Sequence, residues 1–258
     1  LDDPENTLYS ADIFEFAKST GYYKPDSAKF SFVDAFCPLE PGGLLFCEGR
    51  FWSLFTKCAP SQNFDTAYWR AYKGAEPYPL FVKPDKKISV RDVMSLMRDH
   101  FEGTPFDMTK GLAAGPFGCP YRWKGLTWKL EGDTVTEYAW ERPISTQQTA
   151  FGFVSQLRSF MPREIGGIFW YGVDDTYSTV YMPLYCSMTK APKCLQVGSI
   201  GEFTLESTFW IFNLVANLAY TKYQYIIEDI KPVQKELEDG FHNGMAAIEE
   251  TAMKLYKQ

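Results

Sequence analysis

The sequence predicts a layered α+β sandwich, with helices surrounding a mostly antiparallel sheet. Three observations predict it. β-prone runs cluster within residues 126–185, and helical patterns lie on either side of them. The two arms of "GGIFWYGVDDTYSTVYMPLY", 166–185, are almost wholly apolar, as expected of a sheet covered on both faces. The chain is 45% hydrophobic and 17% aromatic, so 258 residues can build one sizeable core into which most rings must go. No internal repeat or flexible linker divides it, and residues 1–258 read as a single domain.

Each element has a local reason. Ser10 can cap a helix through "ADIFEFAKSTG", in which Ile13, Phe14 and Ala17 share a face and Gly21 closes the end. Residues 22–48, rich in Pro, Gly and aromatics, read as an ordered loop. "GRFWSLFTKCAP", 49–60, is apolar at helical spacing and stops before Pro60. "SVRDVMSLMRDHFEG", 89–103, is the clearest helix. Ser89 and Asp92 form a capping signal, Val90, Val93, Met94, Met97 and Phe101 line one face, and Gly103 ends it. Residues 103–120 are a Gly- and Pro-rich loop. A hairpin is expected around Gly132-Asp133, a strand over 149–158, and a second hairpin turning at Asp174-Asp175. One long helix is expected from Glu206 to Ile230, stopped near Pro232. Residues 233–258 then read as a pair of surface helices broken at Gly240–Gly244.

Composition excludes several functions. The formal charge is −6, and no basic run resembles a nucleic-acid footprint. No apolar run reaches the roughly 18 residues of a membrane span; "FWIFNLVANLAY", 209–220, is interrupted by Asn213 and Asn217 and reads as a buried helix. The six cysteines have wide, irregular spacings without a Cys-x-x-Cys pair, so they read as small buried hydrophobes, and no metal site is expected. The first residues carry no Met and no targeting segment, which suggests processing or upstream sequence outside this chain.

No complete catalytic motif is present: there is no Gly-x-Ser-x-Gly elbow, phosphate loop or His-Glu-x-x-His. Single residues leave two readings each. His100 is a base or a helix-end histidine favoured by the dipole. Asp107 and Lys110, three apart in the glycine loop, are a site or a loop-fixing pair. Asp174 and Asp175 are acid–base carboxylates or turn residues. Each thiol is a nucleophile or an inert buried group. Arg142, in "AWERPISTQQTAF", is costly to order unless it pairs with an acid such as Glu141 or binds an anion.

The segments "VKPDKKISVRDVMSLMRDHFEGTPFDMTKGLAAGPFG", "WERPISTQQTAFGFVSQLR" and "IGGIFWYGVDDTYSTVYMPLY" resemble the dipeptidase A family of cysteine peptidases. "LDDPENTLYSADIFEFA" and "RFWSLFTKCAPS" extend the likeness, collinearly, from residue 1 to about 235. The resemblance implies an N-terminal-nucleophile hydrolase with a four-layer αββα sandwich that cleaves dipeptides without a metal or organic cofactor. In such enzymes an N-terminal Cys supplies the thiol and its own α-amine the base. This chain begins with Leu1, so it resembles the C-terminal portion of such an enzyme and is expected to be inactive alone. The resemblance implies Arg142 as the cation that orients the thiol, and Asp107 and Lys110 as residues lining the dipeptide pocket. Expected partners are a dipeptide substrate, the missing N-terminal segment, and a second copy in a homo-oligomer. A non-catalytic binding protein on the same fold is the alternative, and a hydrolase using an internal thiol is a third.

Overall fold

The structure is a computed structural model that describes residues 5–24, 30–37, 43–121, 127–128, 138–139 and 141–257. Helix α1, Ile13–Ser19, buries Ile13 and Ala17 as its spacing predicts. Ser10 does not cap it through its side chain. Asp12 holds the cap position, and Ser10 contributes its backbone carbonyl, which accepts from the Ile13 N–H at 3.2 Å. The expected loop over 22–48 contains a short helix α2, Phe32–Phe36, and a π-type turn, Leu44–Glu48, which runs into α3, Gly49–Cys58.

Helix α4, Val90–Met97, starts with the capping box its sequence promises. Asp92 N–H donates to Ser89 Oγ at 3.1 Å, and Ser89 N–H donates to the Asp92 carboxylate at 2.8 Å. Ser89→Ala is expected to cost about 1 kcal/mol, read from the midpoint of a urea melt. The helix ends at Arg98, short of Gly103. Phe101 is the reason. It takes a left-handed conformation, φ 63°, and stacks fully buried on Trp69 at 6.3 Å in a second core with Trp52 and Met108. A helix continued through Phe101 would aim that ring back at the α4 face instead.

Strands β1, Thr127–Trp128, and β2, Tyr138–Ala139, pair antiparallel. The turn expected at Gly132-Asp133 lies outside the described residues. The main sheet is antiparallel, in the order β3, Phe151–Leu157; β4, Gly167–Val173; β5, Met182–Tyr185. Its register pairs Phe151 with Val173 and Tyr171 with Met182. A short helix α5, Arg163–Gly166, joins β3 to β4, and α6, Lys193–Gln196, follows β5. One face of the sheet carries Val154, Ile168 and Trp170 against Met94 of α4 and Tyr181. Gly152 and Gly172 face each other across that register because the loop after β4 folds down onto them. A Cβ on Gly172 would meet Thr179 Cγ2 at 2.6 Å, and one on Gly152 would meet Thr176 Cγ2 at 2.8 Å.

The other face is only partly covered: Phe151, Tyr171 and Val173 meet a pocket walled by Leu195, Phe209 and Trp210, and the rest stays open. Phe151, Phe153 and Leu157 are 53%, 46% and 82% exposed. Phe153 stacks on Phe169 at 4.6 Å, and Phe169 on Tyr171 at 5.8 Å, so a ladder of rings faces outward. Strands apolar on both sides suit a dry environment on both faces; the described residues cover one face and part of the other.

The C-terminal helices differ from expectation too. Helix α7 spans Thr208–Thr221 and α8 spans Tyr223–Tyr256, so the break falls at Lys222 rather than at Pro232. Helix α7 is half-buried rather than buried, with Leu218 54% exposed. Pro232, Gly240 and Gly244 all lie inside α8. A proline in a helix interior costs about 3 kcal/mol. Here tertiary contacts on both sides of it hold the helix: Gln234 Nε2 donates to the carbonyls of Tyr177 and Thr179 at 2.9 and 2.6 Å, and Glu238 pairs with Arg98 at 2.5 Å. The cysteines also depart from the buried reading. Cys37, Cys47, Cys186 and Cys194 are exposed, and all six are free. No helix among the described residues is long and apolar enough to cross a membrane.

Candidate active site

Residues 141–150 precede β3 without regular structure, yet their backbone is tied down. Ser145 N–H donates to the Asp99 carbonyl at 3.0 Å, and Asp174 N–H to the Ala150 carbonyl at 2.8 Å. Thr176 Oγ1 donates to Ser145 Oγ at 2.8 Å, and Ser145 Oγ in turn to Asp175 Oδ1 at 3.4 Å. The centre of this network is Asp175, 1% exposed, which also accepts from Tyr121 OH at 3.1 Å, from Tyr177 N–H at 3.3 Å and from Ser178 Oγ at 3.1 Å. Asp174 beside it has φ 65° and accepts from Asn213 Nδ2 at 3.0 Å; burial raises its carboxyl above the usual range, against the pull of that hydrogen bond. The pair sits in an eight-residue loop between β4 and β5, so both are structural loop residues as well as buried acids.

Arg142 projects from this anchored segment. Its Nη2 donates to Gln148 Oε1 at 3.2 Å and its guanidinium lies 5.5 Å from the Phe46 ring centre. Neither contact is a carboxylate. Arg50 of α3 reaches across, its Nε donating to the Arg142 carbonyl at 3.4 Å. Burial, then the like charge of Arg142, pulls the Arg50 guanidinium below its ordinary value. Two cations held this close favour an anion between or beside them.

Arg50 is one of the residues lining a groove of about 650 Å³ between α3 and α4, with Phe51, Leu54, Phe55, Met97 and Ile144. The groove is mostly apolar, with one cation in its lining. That combination suits a small ligand with an apolar body and an anionic group. Cys47 and Cys58 also line it. Burial pushes the Cys58 thiol up, which makes it a poorer nucleophile near neutral pH.

Asp107 and Lys110 lie apart from this arrangement in their contacts. Lys110 Nζ is 3.0 Å from Asp107 Oδ2, while Asp107 Oδ1 accepts from Thr109 N–H at 3.0 Å and from Thr109 Oγ1 at 2.6 Å. Burial pushes the Asp107 carboxyl up, but the hydrogen bonds from Thr109 and Lys110 outweigh it, and the net displacement is downward. The pair clasps its own loop. His100 lies past the end of α4, fully buried, with Nδ1 3.1 Å from Glu102 Oε1 and the Tyr177 ring 4.6 Å away. Sequence reasoning passes over Arg50 and underrates Asp175. Arg50 meets Arg142 across 92 residues, which no local pattern encodes. Asp175 is one of two adjacent acids in a turn signal, and only the fold shows that it organises the segment carrying Arg142.

A profile of peptidase family C69 matches residues 1–236. The chain is 27% identical over 202 residues to a probable dipeptidase of Salmonella dublin, covering 78% of this chain and 40% of that protein. It is 25% identical over 240 residues to the probable dipeptidase B of Streptococcus pyogenes serotype M1, covering 91% and 44%. It is 26% identical over 241 residues to dipeptidase A of Lactobacillus helveticus, covering 93% and 43%. The chain thus spans well under half the length of these relatives. With a match over nearly its whole length, the chain belongs to peptidase family C69.

Proposed function

We propose that this chain is the C-terminal part of a thiol dipeptidase whose nucleophile is an N-terminal Cys on a preceding segment, and that it has no dipeptidase activity alone. The observation that carries this reading is the Arg142–Arg50 pair beside an apolar groove. Arg142 is oriented by an anchored backbone, and its contacts among the described residues are neutral, so it suits a thiolate or a substrate carboxylate. We assign it the role of holding the thiolate. The groove would take the side chains of a dipeptide; Asp107 and Lys110 are not among its lining residues, so we assign them no part in it. The open aromatic face of β3 and β4 supports a sandwich completed by further chain. Exposed apolar patches of that kind mark a surface that another element covers.

The test is dipeptide hydrolysis by purified 1–258, alone and joined to the N-terminal segment of a full-length relative. The expected result is no turnover alone and clear turnover when joined. Turnover by the isolated chain overturns the reading, because no internal thiol here has a free α-amine beside it.

A further inference from the structure

A second cavity, of about 440 Å³, opens between α4, the loop after β4 and α8. Its charges pair off with one exception. Lys57 bridges to buried Asp99. Arg98 grips Glu238 with two nitrogens, at 2.5 and 3.3 Å. Arg91 holds Asp239 at 2.6 Å. Glu102 is taken by His100, through the backbone N–H at 2.6 Å and Nδ1 at 3.1 Å. The remaining cation is Lys231. Its Nζ sits 3.6 Å from the centre of the Tyr177 ring, 3.4 Å from the Tyr177 carbonyl and 3.3 Å from Gln234 Oε1. Among the described residues no carboxylate forms an ion pair with it.

An ammonium that is half-buried and hydrogen-bonded to neutral acceptors, with no carboxylate in direct contact, is costly to hold. Burial, helped by the like charge of Arg98, brings Lys231 down to about 8, against the opposing pull of Glu102, Glu238 and Asp175. The cavity has room for a ligand, and four basic side chains line it, Lys57, Arg91, Arg98 and Lys231, against three acids, Asp99, Glu102 and Glu238.

We propose that this cavity binds a small oxyanion, a carboxylate or a phosphate, on Lys231 with the charge of Arg98 alongside. The anion replaces the lost hydration of the ammonium and ties α8, which carries Lys231, to the loop that carries Tyr177. The site shares no residue with the Arg142 groove and does not depend on the dipeptidase reading.

Calorimetric titrations with inorganic phosphate and with acetate, run separately at constant ionic strength, test this. Saturable binding of either is expected, and the arm that gives it names the oxyanion. Lys231→Met is expected to weaken that binding at least tenfold, and Lys231→Arg, which keeps the charge, to retain most of it. Because Lys231→Met removes a poorly solvated charge, its thermal melting without anion is expected not to fall below that of the parent. Equal affinity in the parent and Lys231→Met, or no saturable heat from either anion at millimolar concentration, overturns the proposal.

Discussion

Replacing Arg142 by Ala in a dipeptidase that carries this chain together with its nucleophile lowers kcat/KM for dipeptide hydrolysis by about 10²–10³-fold, the scale of losing one well-placed electrostatic partner. Folding is expected to change little, because the side chain's contacts among the described residues are Gln148 and the Phe46 ring, and the backbone anchors at Ser145 and Ala150 are independent of the guanidinium. If Arg142 holds a thiolate, the acidic limb of the pH–rate profile moves to higher pH in Arg142→Ala, since the thiol loses the cation that favours its ionised form. Arg142→Lys keeps the charge but not the fork, and an intermediate rate is expected. A collapse of stability with normal activity per folded molecule would instead assign Arg142 to an internal structural role.

Asp175→Ala is expected to destabilise the chain by about 3 kcal/mol or more, since hydrogen bonds to a charged group each contribute about 1.5–3 kcal/mol and buried donors are left unmet. Tyr121 OH, Ser178 Oγ, Tyr177 N–H and Ser145 Oγ all lose an acceptor at once. The effect reaches Arg142, because Ser145 is three residues on and takes its other side-chain bond from Thr176. A denaturant midpoint reads the stability loss. Asp175→Asn, which keeps two acceptor positions but no charge, is expected to lose less. A midpoint within 0.5 kcal/mol of the parent, the range of an ordinary surface change, would remove Asp175 from the centre of the network.

The α+β class, the Ser89 capping box and the span of β3 were legible because each rests on contacts between near neighbours in sequence. The errors fall where distant contacts decide. Pro232 is a sound local stop signal, overridden by Gln234 and Glu238 docking onto a loop more than 50 residues away. Phe101 continues the apolar period of α4, but Trp69 offers a better burial, so the backbone leaves the helix. The exposed cysteines and the outward rings of Phe151 and Phe153 have the composition of a core and the position of a surface, and composition alone does not tell these apart. The candidate site divides in the same way. Arg142 was readable as an expensive cation next to Pro143, whereas Arg50 and the groove arise only when α3 folds across residues 142–144.

Helix α8 has 34 residues, about 50 Å of rod at 1.5 Å per residue. It is pinned near its start by Tyr223 against Tyr177 at 5.8 Å, in its middle by Arg98 on Glu238, and near its end by Arg158 on Glu249 at 2.6 Å. These three fixings lie on three separate pieces of the chain: the loop after β4, the end of α4 and the end of β3. A stiff beam fastened at three points shares any load among them, so none of those pieces can loosen far without the other two giving way. The helix therefore braces, along one rod, segments that lie far apart in the sequence.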